Sequence, residues 1–209
     1  MSQTTQQVEN DVRDALESGI DIYQRVKQIT LKALTKQKLD IENIKSVVEA
    51  AFKGINAGMS SQVEPAKADF TQAVSAIDDV LEQTAQASKL AIEEAASRIS
   101  DFSRSDLSQA TDDIKSLEQI FLETLEKVTR NSNEMIFDTA QHFIDHARKN
   151  GTAVGRQSQI ALEALNSFRH KGQSAVLSGA STTASIIAEI GGGILTGIAE
   201  SFEANKSKK

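Results

Sequence analysis

The chain has 209 residues with one Pro, no Cys and no Trp; 39% are hydrophobic, 25% are charged, and the formal net charge is −6. Without cysteine there is no disulfide, no thiolate metal site and no cysteine nucleophile. The acidic balance argues against a duplex nucleic-acid partner, because phosphate neutralisation needs a basic face.

A single proline leaves little to stop a helix, and the chain reads as all-α. Fully helical, it would hold roughly 300 Å of helix at 1.5 Å per residue, enough for five or six helices. The 39% hydrophobic fraction lies below the usual 45–50% or so, a figure that also counts Gly, and the composition is rich in Ala, Ser and Thr. Small side chains bury little area each. The expected architecture is therefore an elongated bundle of long amphipathic helices, coiled-coil-like and homo-oligomeric. Residues 1–172 form the amphipathic bundle, 173–203 a glycine-rich apolar helical segment and 204–209 a basic tail.

The first helix carries Val8, Val12, Ala15, Gly19, Ile22, Val26, Ile29 and Ala33 at alternating spacings of four and three, the rhythm of helices crossing at a shallow angle. Leu16, Ile20, Tyr23 and Leu34 widen that stripe, and it ends in the polar run Thr35 to Lys38. Asp40 is the expected N-cap of the next helix. Its inner face is Ile41, Ile44, Val48, Ala51, Phe52 and Ile55, with Gly58 offered as its C-cap. Ser61-x-x-Glu64 has capping-box spacing, and Pro65 would fall in the first turn that follows, where a missing N–H costs nothing.

The third segment repeats the rhythm through Phe70, Val74, Ile77, Leu81, Thr84, Ser88, Ala91 and Ala95, weakening as it proceeds. Ser103 or Ser105 can cap a helix that turns Leu107, Ile114, Leu117, Phe121, Leu125 and Val128 inward. Asn131-Ser132-Asn133 marks a local break before Met135, Ile136, Ala140, Phe143 and Ala147. Asn150-Gly151 is a stop, and Thr152 the next cap. A helix with Ile160, Ala161, Leu165 and Phe168 then runs to Lys171-Gly172.

The end of the chain differs in kind. Between Ser174 and Ala199 only Glu189 is charged, and Gly191-Gly192-Gly193 is followed by Gly197. Gly193-x-x-x-Gly197 has the spacing that lets helix backbones approach closely. The apolar set Ile186, Ile187, Ile190, Ile194, Leu195, Ile198 and Phe202, with Gly193 and Gly197, is the candidate surface-attachment or self-association site. Three outcomes are open for it: packing on the bundle or on another copy, reversible attachment to an apolar surface, or a membrane span. Glu189, the hydroxyls and the glycine triplet weigh against a span.

Asp138, His142 and His146 share a helix face at spacings that helical metal sites use. The position after His142 is Phe143, however, not the glutamate of a metalloprotease, and a solvated face without metal is the expected state. Asp78-Asp79, Glu93-Glu94 and Asp112-Asp113 read as solvated faces, since neighbours on a helix diverge by about 100° and do not converge on one substrate. No nucleophile elbow, phosphate-binding loop or dinucleotide fingerprint appears. No enzyme activity and no cofactor are expected. The first ten residues lack the basic and apolar regions of a secretory signal, so a cytoplasmic location is expected, with possible attachment to a granule or membrane.

In size, helicity, absence of cysteine, acidic balance and helices rich in Ala, Gln, Ser and Thr, the chain resembles the phasins, bacterial proteins that coat polyhydroxyalkanoate granules. The stretch Asn133 to Leu165, NEMIFDTAQHFIDHARKNGTAVGRQSQIALEAL, carries a similar spaced-Phe, Ala-rich amphipathic pattern, and the glycine-rich end departs from it. The resemblance implies a non-enzymatic protein that covers an apolar surface, a storage granule or membrane face. The alternatives are an oligomeric helical scaffold that binds other proteins, and a membrane-inserting protein that uses residues 174–199.

Overall fold

The computed structural model describes residues 3–62, 66–97, 104–171 and 190–200, all of them in helices or in the short turns between helices. Seven helices follow in order: α1 (Gln3–Ser18), α2 (Ile22–Thr35), α3 (Ile41–Ser61), α4 (Lys67–Ser97), α5 (Arg104–Thr129), α6 (Glu134–Asn150) and α7 (Ala153–Lys171). Residues 190–200 are also helical. Among the described residues the fold is all-α.

The uninterrupted rhythm of the first stripe does not yield one helix. It breaks at Gly19 (φ 64) and Asp21 (φ 48), both left-handed, so that α2 folds back beside α1. Gly19 adopts this conformation freely, and Asp tolerates it better than most residues. Both halves of the stripe are nonetheless buried: Val8, Val12, Ala15 and Leu16 from α1, and Ile22, Val26, Ala33 and Leu34 from α2.

α1 lies chiefly along α3, and glycine explains how closely. A Cβ at Gly54 would stand 2.5 Å from the Glu9 carbonyl oxygen, and one at Gly58 would stand 2.6 Å from the Leu16 Cβ. Gly54-x-x-x-Gly58 therefore forms a groove into which α1 sinks, with the two helices running in the same direction. This corrects the sequence-based role of Gly58. It does not cap α3, which continues to Ser61, because its missing side chain is needed inside the helix for the approach of α1. Ser61 likewise closes α3: its hydroxyl donates to the Gly58 carbonyl and to Glu17, and α4 begins at Lys67. Glu64 and Pro65 lie outside the described residues.

Several local signals act as their chemistry dictates. The Asp40 carboxylate accepts from the Asn43 N–H at 2.9 Å and starts α3; Asn133 accepts from the Ile136 N–H at 3.0 Å and starts α6. Gly151 (φ 75) ends α6, with its N–H donating to the Ala147 carbonyl. Ser105 lies inside α5, so it is not the cap; Ser103 is outside the described residues.

One core cluster draws on every helix from α1 to α7 and on Leu195. Phe52, Phe70 and Phe121 are its bulkiest fully buried side chains. Phe121 touches Phe52 at 5.6 Å between ring centroids and meets Phe143 edge-on at 5.9 Å, tying α3, α5 and α6 together. Such ring pairs add about 0.5–1.5 kcal/mol beyond their burial. A second, smaller cluster holds Ala91, Ile92, Ile114 and Ala161 between α4, α5 and α7.

Candidate functional site

The 190–200 helix docks where these two clusters meet. Its inward edge is Gly191 and Leu195; Leu195 is fully buried in the larger cluster. Ile190 packs on the smaller cluster, Ala199 on the larger, and Ile194 touches both. The surface beneath is built of small groups. A Cβ at Gly191 would lie 3.2 Å from Leu39 Cδ2 and 3.8 Å from the Ala91 Cβ. The tail helix thus rests on the Leu39 loop and the alanine-rich part of α4.

The outward edge is glycine. Gly193 is exposed and so is Gly197, and a Cβ at Gly192, Gly193 or Gly197 would meet none of the described residues within 4 Å. Among the described residues the close helix approach falls at Gly54 and Gly58, and none covers the Gly193-x-x-x-Gly197 edge. Ile198 is half-buried. Ile186, Ile187 and Phe202 fall outside the described residues, as does most of the segment 174–199. Among the described residues no helix is long and apolar enough to cross a membrane.

The polar side chains sort themselves between elements. Asp78, expected on a solvated face, is only 8% exposed. Its two oxygens accept from the Ala153 and Val154 N–H groups, each at 2.9 Å, so α4 caps the first turn of α7. Those N–H groups have no partner within their own helix, and the positive helix end favours the carboxylate. Burial nonetheless pushes Asp78 above the usual carboxylate range, outweighing the lowering effect of the Val154 and Ala153 N–H groups.

Thr152 completes this junction: its hydroxyl accepts from the Gly155 N–H at 2.8 Å and donates to Glu118 of α5 at 2.7 Å. A Cβ at Gly155 would press on the Glu118 carboxylate, the movable end of its side chain, and displace it from Thr152.

Asp79 points the other way, as the divergence of adjacent helical residues requires. It accepts a hydrogen bond from the Tyr23 hydroxyl and pairs with Lys27 at 3.5 Å, clasping α2 to α4. Burial, followed by the Asp79 hydrogen bond and charge, raises the Tyr23 phenol well above its ordinary value. The other acidic pairs make contacts within their own helices: Glu93 with Lys89, Asp112 with Lys115, and Asp113 with Gln109.

Asp138, His142 and His146 are exposed, and His146 is engaged by the Asn150 side chain. Among the described residues no group of three or more His, Cys, Asp or Glu is placed to hold a metal ion.

The geometry defines an all-helical protein whose polar contacts lock helix to helix and whose last described helix rests on a small-residue platform. A family model described as "Family of unknown function (DUF6781)" matches residues 1–204, and the chain belongs to that family. No curated protein and no solved structure matches it.

Proposed function

We propose that this chain is a non-enzymatic, phasin-like helical protein that attaches reversibly to an apolar surface, a storage granule or the face of a membrane. The observation that carries the reading is the way the 190–200 helix is seated. Gly191 abuts Leu39, the Ala87 carbonyl and Ala91; Ile190 and Ile194 pack on the small cluster of Ala91, Ile92, Ile114 and Ala161; and Leu195 enters the main core. The glycine and alanine part of this contact buries little area per residue, so undocking is cheap relative to opening the phenylalanine-filled part of the core. Once undocked, the same side chains form an apolar stripe and uncover the alanines of α4, and exchange of one apolar contact for another favours binding at an interface. The weak Thr84-Ser88-Ala91-Ala95 seam is the part of α4 that would open with it.

Flotation with lipid vesicles and polyester particles tests this directly, comparing the intact chain with a form ending at Gly172. Flotation of the intact protein, weakened by the truncation, is the expected result, and preference for one particle separates granule from membrane. If neither form floats, the reading is wrong.

A second reading, an oligomeric scaffold that binds other proteins, is favoured by the open Gly193-x-x-x-Gly197 edge, whose exposed backbone suits the approach of another helix. It expects a stable oligomer with no affinity for either particle. Leakage of dye from the vesicles would instead point to membrane insertion through 174–199.

A further inference from the structure

The corner between α1 and α2 is where sequence pattern and structure disagree. The stripe Val8, Val12, Ala15, Gly19, Ile22, Val26, Ile29 and Ala33 keeps its four-three rhythm straight through Gly19–Asp21. A sequence that specified only a bend would have no reason to hold its helical phase across it. The bend also lacks a side-chain cap and exposes an aliphatic residue. Asp21 is left-handed at φ 48 and ψ 40 and makes no side-chain cap for α2. Ile20, between two left-handed residues, is 67% exposed. The hydroxyl of Ser18 ties the corner together, accepting from Arg25 and donating to the Ala15 carbonyl. Local and global preferences that conflict in this way mark places where a second arrangement lies close in energy.

We infer that the corner is a swap hinge and that its partner is a second copy of this chain. With Gly19–Asp21 helical, α1 and α2 become one helix over residues 3–35, on the order of 50 Å long. α1 then leaves its own α3 and vacates a groove that fits it closely. Gly54 and Gly58 admit the backbone of Glu9 and Arg13 and the side chains of Val12 and Leu16 at distances that leave no room for a Cβ. Gln62 supplies a specific clasp, donating its side-chain N–H to the Leu16 carbonyl at 2.9 Å, and Ser61 donates to Glu17 at 3.1 Å. In the swapped dimer each groove receives α1 from the other copy, so every one of these contacts is kept. The difference is that two left-handed corners are replaced by two continuous helices. A short, strained connection between elements that pack well is the general condition for exchange. This inference does not rest on attachment to an apolar surface.

The chain has no cysteine, which makes the test clean. Two full-length single-cysteine forms, Glu17→Cys and Ser61→Cys, are mixed, unfolded in urea, refolded together at high concentration and treated with a short bismaleimide. The swap predicts a covalent mixed dimer, because residue 17 of one copy sits against residue 61 of the other. Adding Gly19→Ala penalises the left-handed corner and favours the continuous helix. It should move the monomer–dimer midpoint about tenfold or more to lower concentration. Inserting four Gly/Ser residues between Ile20 and Asp21 relaxes the bend and interrupts the long helix, so it should abolish the mixed dimer. This variant and the unaltered corner keep the test decisive should Gly19→Ala fail to fold. Absence of the mixed dimer under all conditions overturns the inference, as does a dimer that forms without the 17–61 link. Equal linking in the insertion variant also overturns it.

Discussion

Replacing Asp78 with alanine would strip two main-chain N–H groups of their acceptors at once, those of Ala153 and Val154. A buried donor left unpaired costs about 1–3 kcal/mol, so Asp78→Ala should lower the urea midpoint clearly, whereas Asp112→Ala, on an exposed position, should not. The pH dependence follows from the raised Asp78 value, which burial sets above the ordinary 3.8. A carboxyl in that position holds its proton more tightly folded than unfolded. Its stabilising contribution is complete below 3.8 and is lost as pH rises through the raised value. The difference in unfolding free energy between wild type and Asp78→Asn should therefore shift toward the wild type as pH falls through that window. A difference independent of pH would contradict the assignment. Gly58→Ala belongs to the same scale. Its Cβ would stand 2.6 Å from the Leu16 Cβ and 2.8 Å from the Arg13 carbonyl oxygen, an overpacking that costs about 1–3 kcal/mol by thermal or urea unfolding.

At the scale of elements, helix boundaries written in neighbouring residues were readable: Asp40, Asn133 and Thr152 cap from within a few positions of the N–H groups they satisfy. Capping across the chain was not. Asp78 meets its partners 75 and 76 residues away, and nothing near Asp78-Asp79 distinguishes a tertiary cap from a solvated pair. The α1–α2 corner was hidden for the opposite reason, since the four-three rhythm persists through it and only Gly19 hints at a bend. For the candidate attachment site, composition singled out a stretch, but it could not tell the docking edge at Gly191 and Leu195 from the edge at Gly193 and Gly197. That distinction depends on which face meets Leu39 and Ala91.

Leu195→Ala tests how independently this element moves. The lost side chain would cost about 2–5 kcal/mol in a rigid core. A helix that undocks on its own caps that loss at its local opening energy. Hydrogen exchange over residues 190–200 should therefore accelerate strongly while the global unfolding midpoint falls little. Equal changes in both would mean the helix opens only with the whole bundle.

Considered as a whole molecule, the chain combines a core held by Phe52, Phe70, Phe121 and cross-helix polar clasps with a region where alanine replaces larger side chains. The proposed function assigns stability to the first and exchange with an apolar surface to the second. Tyr23 is the chain's one tyrosine and there is no Trp. Its emission therefore reports the α2–α4 clasp through Asp79 and Lys27, and should change little on binding if opening is confined to the tail helix and its platform. The central claim is that the 190–200 helix must leave α4 for the protein to attach. The Ala91 Cβ lies 3.8 Å from where a Cβ at Gly191 would be, the spacing a disulfide spans without strain. The decisive measurement is flotation of the full chain carrying Ala91→Cys and Gly191→Cys, oxidised and then reduced. The account predicts that the oxidised, locked protein stays with the soluble fraction and that reduction restores flotation; equal flotation of both forms would contradict it.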